Sequence, residues 1–295
     1  MSIYSQIASN KRRTLLITAI FIFFISFVAY VFGQVQGEGF SYLGIALIIS
    51  GFLSLGSYYF GDKIILKISG ARLADEKRDF DFFTVAENLC IGAGLPRPKL
   101  YVIEDSAPNA FAAGRDPDHA IVCVTTGLLD KLERSELEGV IAHELSHIKN
   151  YDIRLMAIVA VLIGTTAYLA DMFNRSLWWG GKKKKGEKGE VFILIGVVLA
   201  ILSPLIAKLI QLAISRQREF LADASAGLLT RNPHALADAL EKISQDKEVL
   251  EAANNATAHL YIINPFKGKE FGAWFAGLFN THPPIKERTK ILRRM

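Results

Sequence analysis

Five consecutive residues carry the chemistry of this chain: His143-Glu144-Leu145-Ser146-His147. On a helix, H-E-x-x-H puts two imidazoles at i and i+4, on one face and about 5–6 Å apart. Two rings so placed can grip one Zn²⁺ at about 2.0–2.1 Å from each nitrogen. Glu144 neighbours the first ring and can reach a water activated by the ion without ligating it. A carboxylate there accepts the water proton. The chemistry indicated is metal-assisted hydrolysis. A helix with two solvated histidines and a surface glutamate is the plainer reading. Against it, Ile141, Leu145 and Ile148 bracket the motif with apolar neighbours.

Two histidines leave a tetrahedral site short of a third protein ligand. The extended pattern H-E-x-x-H-x-x-G-x-x-H fails, because Asn150 and Ile153 stand where Gly and His would be. The third ligand must therefore be a Glu, Asp or His from another element. Glu219 and Asp223 are four residues apart and would share a helix face. Glu219 would complete a His₂Glu site, and Asp223 would accept the free N–H of a ligating imidazole. Spacing alone leaves an ordinary charged surface helix (Arg216, Arg218, Glu219, Asp223) equally open.

The motif needs a helix beneath it. Ser135 followed by Glu138 reads as a capping box, and Leu137, Val140, Ile141, Leu145 and Ile148 recur at helical spacing. A helix from Glu136 to about Lys149 follows. Upstream, Asp79 to Ala93 reads as a helix stopped by Gly94, Pro96 and Pro98, and Lys99 to Glu104 alternates like a strand. Asn109–Gly114 and His119–Thr125 read as a hairpin turning at Asp116-Pro117-Asp118. The first hairpin strand could offer a free edge to an extended substrate. His119, His234 and His259 read as loop or cap residues. Phe271 to Phe279 is aromatic and Gly-rich and reads as core or interfacial packing.

The long-range organisation is set by apolar runs. Thr14–Gly37 and Gly39–Gly61 hold no charged residue, and only Glu38 divides them. Each exceeds the roughly 20 residues that cross about 30 Å of hydrocarbon, so an antiparallel transmembrane hairpin is expected. No cleavage-site pattern follows the first run, which argues against a signal peptide. Lys11, Arg12 and Arg13 precede it and the connecting turn carries no cation, which places both ends of the hairpin in the cytoplasm. Leu155–Ala170 and Val191–Ala207 are shorter, covering about 24–26 Å as helix. Either they span, with Trp178 and Trp179 as interfacial anchors, or they form a buried or re-entrant hairpin; four spanning helices is the reading favoured here. The basic loop between them (Lys182–Lys185, Lys188) fits the charge rule only in the re-entrant case. Either way His147 and Glu219 share one side of the bilayer.

Composition agrees. The chain of 295 residues is 51% hydrophobic and 21% charged, which excludes intrinsic disorder. Two cysteines, Cys90 and Cys123, exclude a disulfide scaffold. The net charge of +5 comes without a basic stripe, so no nucleic-acid partner is expected.

In these motifs the chain resembles the HtpX-type membrane zinc endopeptidases, related to the CAAX prenyl endopeptidases. The matching residues are the N-terminal hairpin, Asn109-Ala110-Phe111-Ala112-Ala113-Gly114, Thr126-Gly127-Leu128, the helix Ile141–Asn150, Arg218-Glu219-Phe220-Leu221-Ala222-Asp223, and His282-Pro283-Pro284 with Arg288. The resemblance implies His143, His147 and Glu219 as zinc ligands and Glu144 as catalytic base. It also implies a cytoplasmic protease domain that degrades damaged or misfolded membrane proteins. His282 is a candidate oxyanion stabiliser, as is a tyrosine, though a place in a Pro-rich turn is the favoured reading of His282. The expected architecture is mainly α: a multi-pass helical membrane protein with a cytoplasmic zincin-like α+β metalloprotease domain and a small β-sheet. The expected segments are a hairpin (1–62), the first protease part with the zinc helix (63–154), a second hydrophobic hairpin (155–213) and the second protease part (214–295). Two rivals remain, a CAAX-type prenyl-protein endopeptidase and a membrane metal transporter or sensor. A transporter would hold its ligands inside apolar spans, and here they lie outside them.

Overall fold

The computed structural model describes residues 3–35, 39–164, 216–253, 257–263, 265 and 283–295. It is mostly helical with one small sheet. Two long helices come first, α1 (Ile3–Val35) and α2 (Gly39–Ile68), and they pack against each other. Among the described residues one stretch, Phe40–Ile68, is long and apolar enough to cross a membrane. Much of its apolar surface faces outward, Phe52 being 72% exposed and Leu55 58%.

The other described residues fold around a four-stranded sheet in the order β1-β2-β4-β3. Its strands are β1 (Arg72–Leu73), β2 (Lys99–Ile103), β3 (Ala110–Gly114) and β4 (Ala120–Thr125). β2 and β4 run parallel, while β1–β2 and β3–β4 are antiparallel. The expected hairpin forms with Ala112 opposite Val122 and Gly114 opposite Ala120. β3 and β4 are rich in Val, Ile and Ala and buried on both faces, because helices cover both. On one face lie α3 (Phe80–Ala93), α5 (Arg134–Lys149) and α8 (Pro233–Gln245). On the other, Ile65 and Leu66 of α2 pack with Met156, Ala157, Ala160 and Tyr261.

α3 begins at the N-cap Asp79 and ends at Gly94, whose φ of 65° is the left-handed conformation glycine tolerates. A short α4 (Thr126–Lys131) follows β4, capped by the Thr125 hydroxyl. α5 starts two residues earlier than expected. Its N-cap is Glu133, whose backbone N–H donates to Glu136 Oε2 at 2.8 Å, so the capping box is Glu133/Glu136 and not Ser135/Glu138. Lys242 of α8 explains the choice: it pairs with Glu136 at 2.7 Å, fixing that carboxylate at the helix start. Gly139 lets α5 and α8 approach, since a Cβ there would meet Leu236 Cα at 2.9 Å.

α5 stops at Tyr151, whose φ of 60° is rare for a residue with a side chain. Lys11 of α1 and Arg154 lie over its ring at 4.6 and 5.1 Å. The chain reverses and enters α6, described over residues 152–164. Leu155, Ile158, Val159 and Leu162 of α6 bury against Ile17 and Phe21 of α1. The described part of the 155–170 run is thus packed inside the protein. The run 191–207, the basic loop, Trp178, Trp179, Phe271–Phe279 and His282 lie outside the described residues. Two more helices, α7 (Arg216–Thr230) and α9 (Ile285–Leu292), pack against α8 and complete the domain.

Candidate metal centre

α5 faces the sheet with Val140, Ile141, Leu145 and Ile148, all buried. The same burial takes in His143, Glu144 and His147, exposed by only 1%, 2% and 5%. The two rings stand edge to face, with Nε2 atoms 3.1 Å apart. α7 crosses α5 and supplies Glu219 from its first turn. Its Oε2 lies 3.8 Å from His143 Nε2 and its Oε1 3.6 Å from His147 Nε2. Donor atoms of all three residues fall within 4.8 Å of one another. Tetrahedral ligands at about 2.0–2.1 Å from zinc sit about 3.3 Å apart, so this donor set fits one such ion. Among the described residues, this is the group of buried His and Glu donors with that convergence.

Each imidazole uses its other nitrogen on a carboxylate. His143 Nδ1 donates to Asp223 Oδ1 at 2.9 Å. Arg288, fully buried in α9, grips the same carboxylate with two bonds, Nε to Oδ2 at 2.8 Å and Nη2 to Oδ1 at 2.6 Å. Its Nη1 donates to the Ile262 carbonyl and lies 3.8 Å from Glu219. His147 Nδ1 donates to Asp152 Oδ2 at 3.0 Å. The other oxygen of Asp152 accepts from Asn10 Nδ2 at 2.6 Å and Arg218 Nη1 at 3.2 Å. Asn10 also donates to the Asn150 carbonyl at 2.9 Å. It belongs to α1, so the N-terminal helix reaches the shell of groups around the metal ligands.

Sequence reading supplied Glu219 and Asp223 but not Asp152 or Asn10, and it gave Arg288 no role. The only local trace of Asp152 was its place just past the H-E-x-x-H helix. His259, expected in a loop or cap, is a core residue, 1% exposed, donating from Nε2 to the Met156 carbonyl at 3.1 Å. It lies in a short 3₁₀ turn beneath α6, where a buried imidazole satisfies a helix carbonyl.

The electrostatics separate these groups. Burial raises the Glu144 carboxyl to about 7; His147 opposes the shift, nearby Glu219 adds to it, and the Ala112 backbone N–H opposes it by donating to the carboxylate. Burial would raise Asp223 as well, but the Arg288 charge outweighs it and holds the acid at about 2. Burial lowers His143 to about 4, against the Asp223 hydrogen bond and with help from Arg288. His143 is therefore neutral, the form that ligates metal. For His147 burial acts in the same sense but loses to the Asp152 hydrogen bond and the Glu219 charge, and its pKa rises.

Glu144 also sits beside β3, the edge strand of the sheet. The edge is covered at one point, where Ile262 N–H donates to the Ala110 carbonyl at 3.0 Å.

Peptidase family M48 matches residues 76–295. A protein named Protease HtpX homolog from Dictyoglomus thermophilum is 44% identical over 99% of this chain and 94% of its own length. A protein of the same name from Caldanaerobacter subterraneus is 42% identical over 100% of this chain and 98% of its own length. Among solved structures, Ste24p of S. mikatae aligns with a TM-score of 0.48 at 19% identity, covering 98% of this chain and 67% of that one.

Proposed function

The chain belongs to peptidase family M48 and is a metallopeptidase, and from that premise we propose a zinc endopeptidase of the cytoplasmic membrane that cleaves damaged or misfolded membrane proteins on the cytoplasmic side. The observation that carries this reading is the convergence of His143, His147 and Glu219, with Glu144 buried beside them. His143, His147 and Glu219 hold the ion, and Asp223 and Asp152 fix the tautomers of the two rings. A zinc ion held by these residues would supply a Lewis acid for the scissile carbonyl and a lowered pKa for the attacking water.

The chain's own residues do the rest. Glu144 accepts the water proton and passes it to the leaving amine. A carboxyl raised toward 7 suits both acts, because its proton affinity sits near the working pH. β3 offers an edge on which an extended peptide aligns beside Glu144. The tetrahedral oxygen needs a further donor, for which His282 is the sequence candidate. The apolar helix Phe40–Ile68 supports membrane attachment through the expected hairpin 1–62, with the protease parts 63–154 and 214–295 joined across the hydrophobic stretch 155–213.

The test is Glu144→Gln in the full chain in detergent. Zinc content by elemental analysis stays at one per chain, and casein cleavage falls about 10²–10⁴-fold. Cleavage at the wild-type rate removes Glu144 as the base.

A further inference from the structure

We propose that the cavity between the C-terminal turns of α2 and the sheet binds the phosphate-bearing headgroup of an anionic phospholipid, an inference resting on the membrane reading above. The cavity has a volume of about 560 Å³, within the roughly 300–1,000 Å³ of small-ligand sites. Four cations from three separate segments line it: Lys63 of α2, Arg97 and Lys99 at the start of β2, and Arg115 after β3. Arg115 lies 3.6 Å from Asp116 and Arg97 4.0 Å from Glu87. Lys63 and Lys99 meet no carboxylate within ion-pair distance among the described residues, although Asp62 and Asp118 also line the cavity. With four cations against the two acids Asp62 and Asp118, the lining keeps an excess of positive charge, which favours an anion.

The position says which anion. The uncharged run Gly39–Gly61 ends at this cavity, so Lys63 stands at the depth where a spanning helix leaves the hydrocarbon. Phe52, Leu55, Tyr59 and Lys63 follow one another at intervals of three and four, forming one stripe of α2. Phe52, Leu55 and Tyr59 are 72%, 58% and 50% exposed. This is an apolar track for acyl chains that ends in a cation. Two rings hold the cations at the track's end: Arg115 lies 5.5 Å over Tyr59, and Lys63 5.5 Å over Phe60. Interfacial aromatics beside basic side chains suit a headgroup that is wet on one side and apolar on the other.

The experiment takes the full chain in a neutral detergent with added phosphatidylglycerol or phosphatidylcholine, and reads bound lipid by native mass spectrometry. Wild type retains phosphatidylglycerol in about tenfold or greater preference. In Lys63→Gln/Lys99→Gln the preference disappears, phosphatidylcholine retention is unchanged, and Lys63→Arg/Lys99→Arg restores it. Melting temperature and casein cleavage of the double variant report that it is folded. Equal retention by wild type and the double variant overturns the site. So does binding of glycerol 3-phosphate at millimolar concentration with no phosphatidylglycerol retained, which assigns the cavity to a soluble phosphate. Extraction of the chain from membranes at alkaline pH is run in parallel. Release there refutes the membrane reading itself, whereas retention with no lipid preference refutes only the headgroup site.

Discussion

At the scale of single residues, the centre is built from groups that do not touch a metal. Asp152 can offer His147 one oxygen because Asn10 and Arg218 hold the other. Removing one holder leaves a buried carboxylate freer to turn away from the ring. Asn10→Leu is therefore expected to weaken zinc binding about tenfold, the effect typical of losing an outer-shell partner. Competition with a fluorescent chelator measures this, and an unchanged affinity would show that Arg218 alone suffices. None of this was legible in the chain. The i, i+4 histidines announce themselves because one helix holds both. Asn10 and Asp152 are 142 residues apart, and Arg288 and Asp223 are 65 apart. No periodicity links such pairs, and only the folded backbone brings them together.

Among elements, the sequence was most informative where local rules suffice. Gly94 ends α3 because a left-handed residue is needed there, and Asp116-Pro117-Asp118 turns β3 into β4. The start of α5 was misplaced by two residues because two acidic N3 positions were available, and a lysine on a distant helix chose between them. Another link between elements carries a pH signature. Arg72 of β1 donates to both oxygens of Asp79, the N-cap of α3, at 2.7 and 3.2 Å. Burial would raise the Asp79 carboxyl, but Arg72 and the Asp75 backbone N–H outweigh it and hold its pKa below the usual carboxylate value. A pKa lowered by folding means stability that is complete above the unfolded pKa of about 4 and lost as pH falls through the folded one. Asp79→Asn, which weakens the charge-assisted bonds from Arg72, is expected to cost about 1–2 kcal/mol at pH 7. It should also flatten the loss of stability below pH 4 relative to wild type. Urea unfolding at pH 7 and pH 3 checks both; equal slopes in the two proteins would remove Asp79 from the acid response.

For the whole molecule, four helices distant in the chain converge on the candidate metal centre. α1 contributes through Asn10, α5 through the two histidines, and α7 with α9 through Glu219, Asp223 and Arg288. A metal that joins so many elements should stabilise the entire fold. At free zinc a thousandfold above Kd the gain is about 4 kcal/mol, worth roughly 10 °C in melting temperature. Scanning fluorimetry before and after EDTA, with zinc added back, measures it; a melting point indifferent to the chelator would mean the donors close without an ion. The same closure hangs on a helix far along the chain: Arg288 follows His143 by 145 residues. It neutralises Asp223, which in turn holds the His143 ring. Seating of α9 against α7 is thus a condition for one imidazole to keep its orientation.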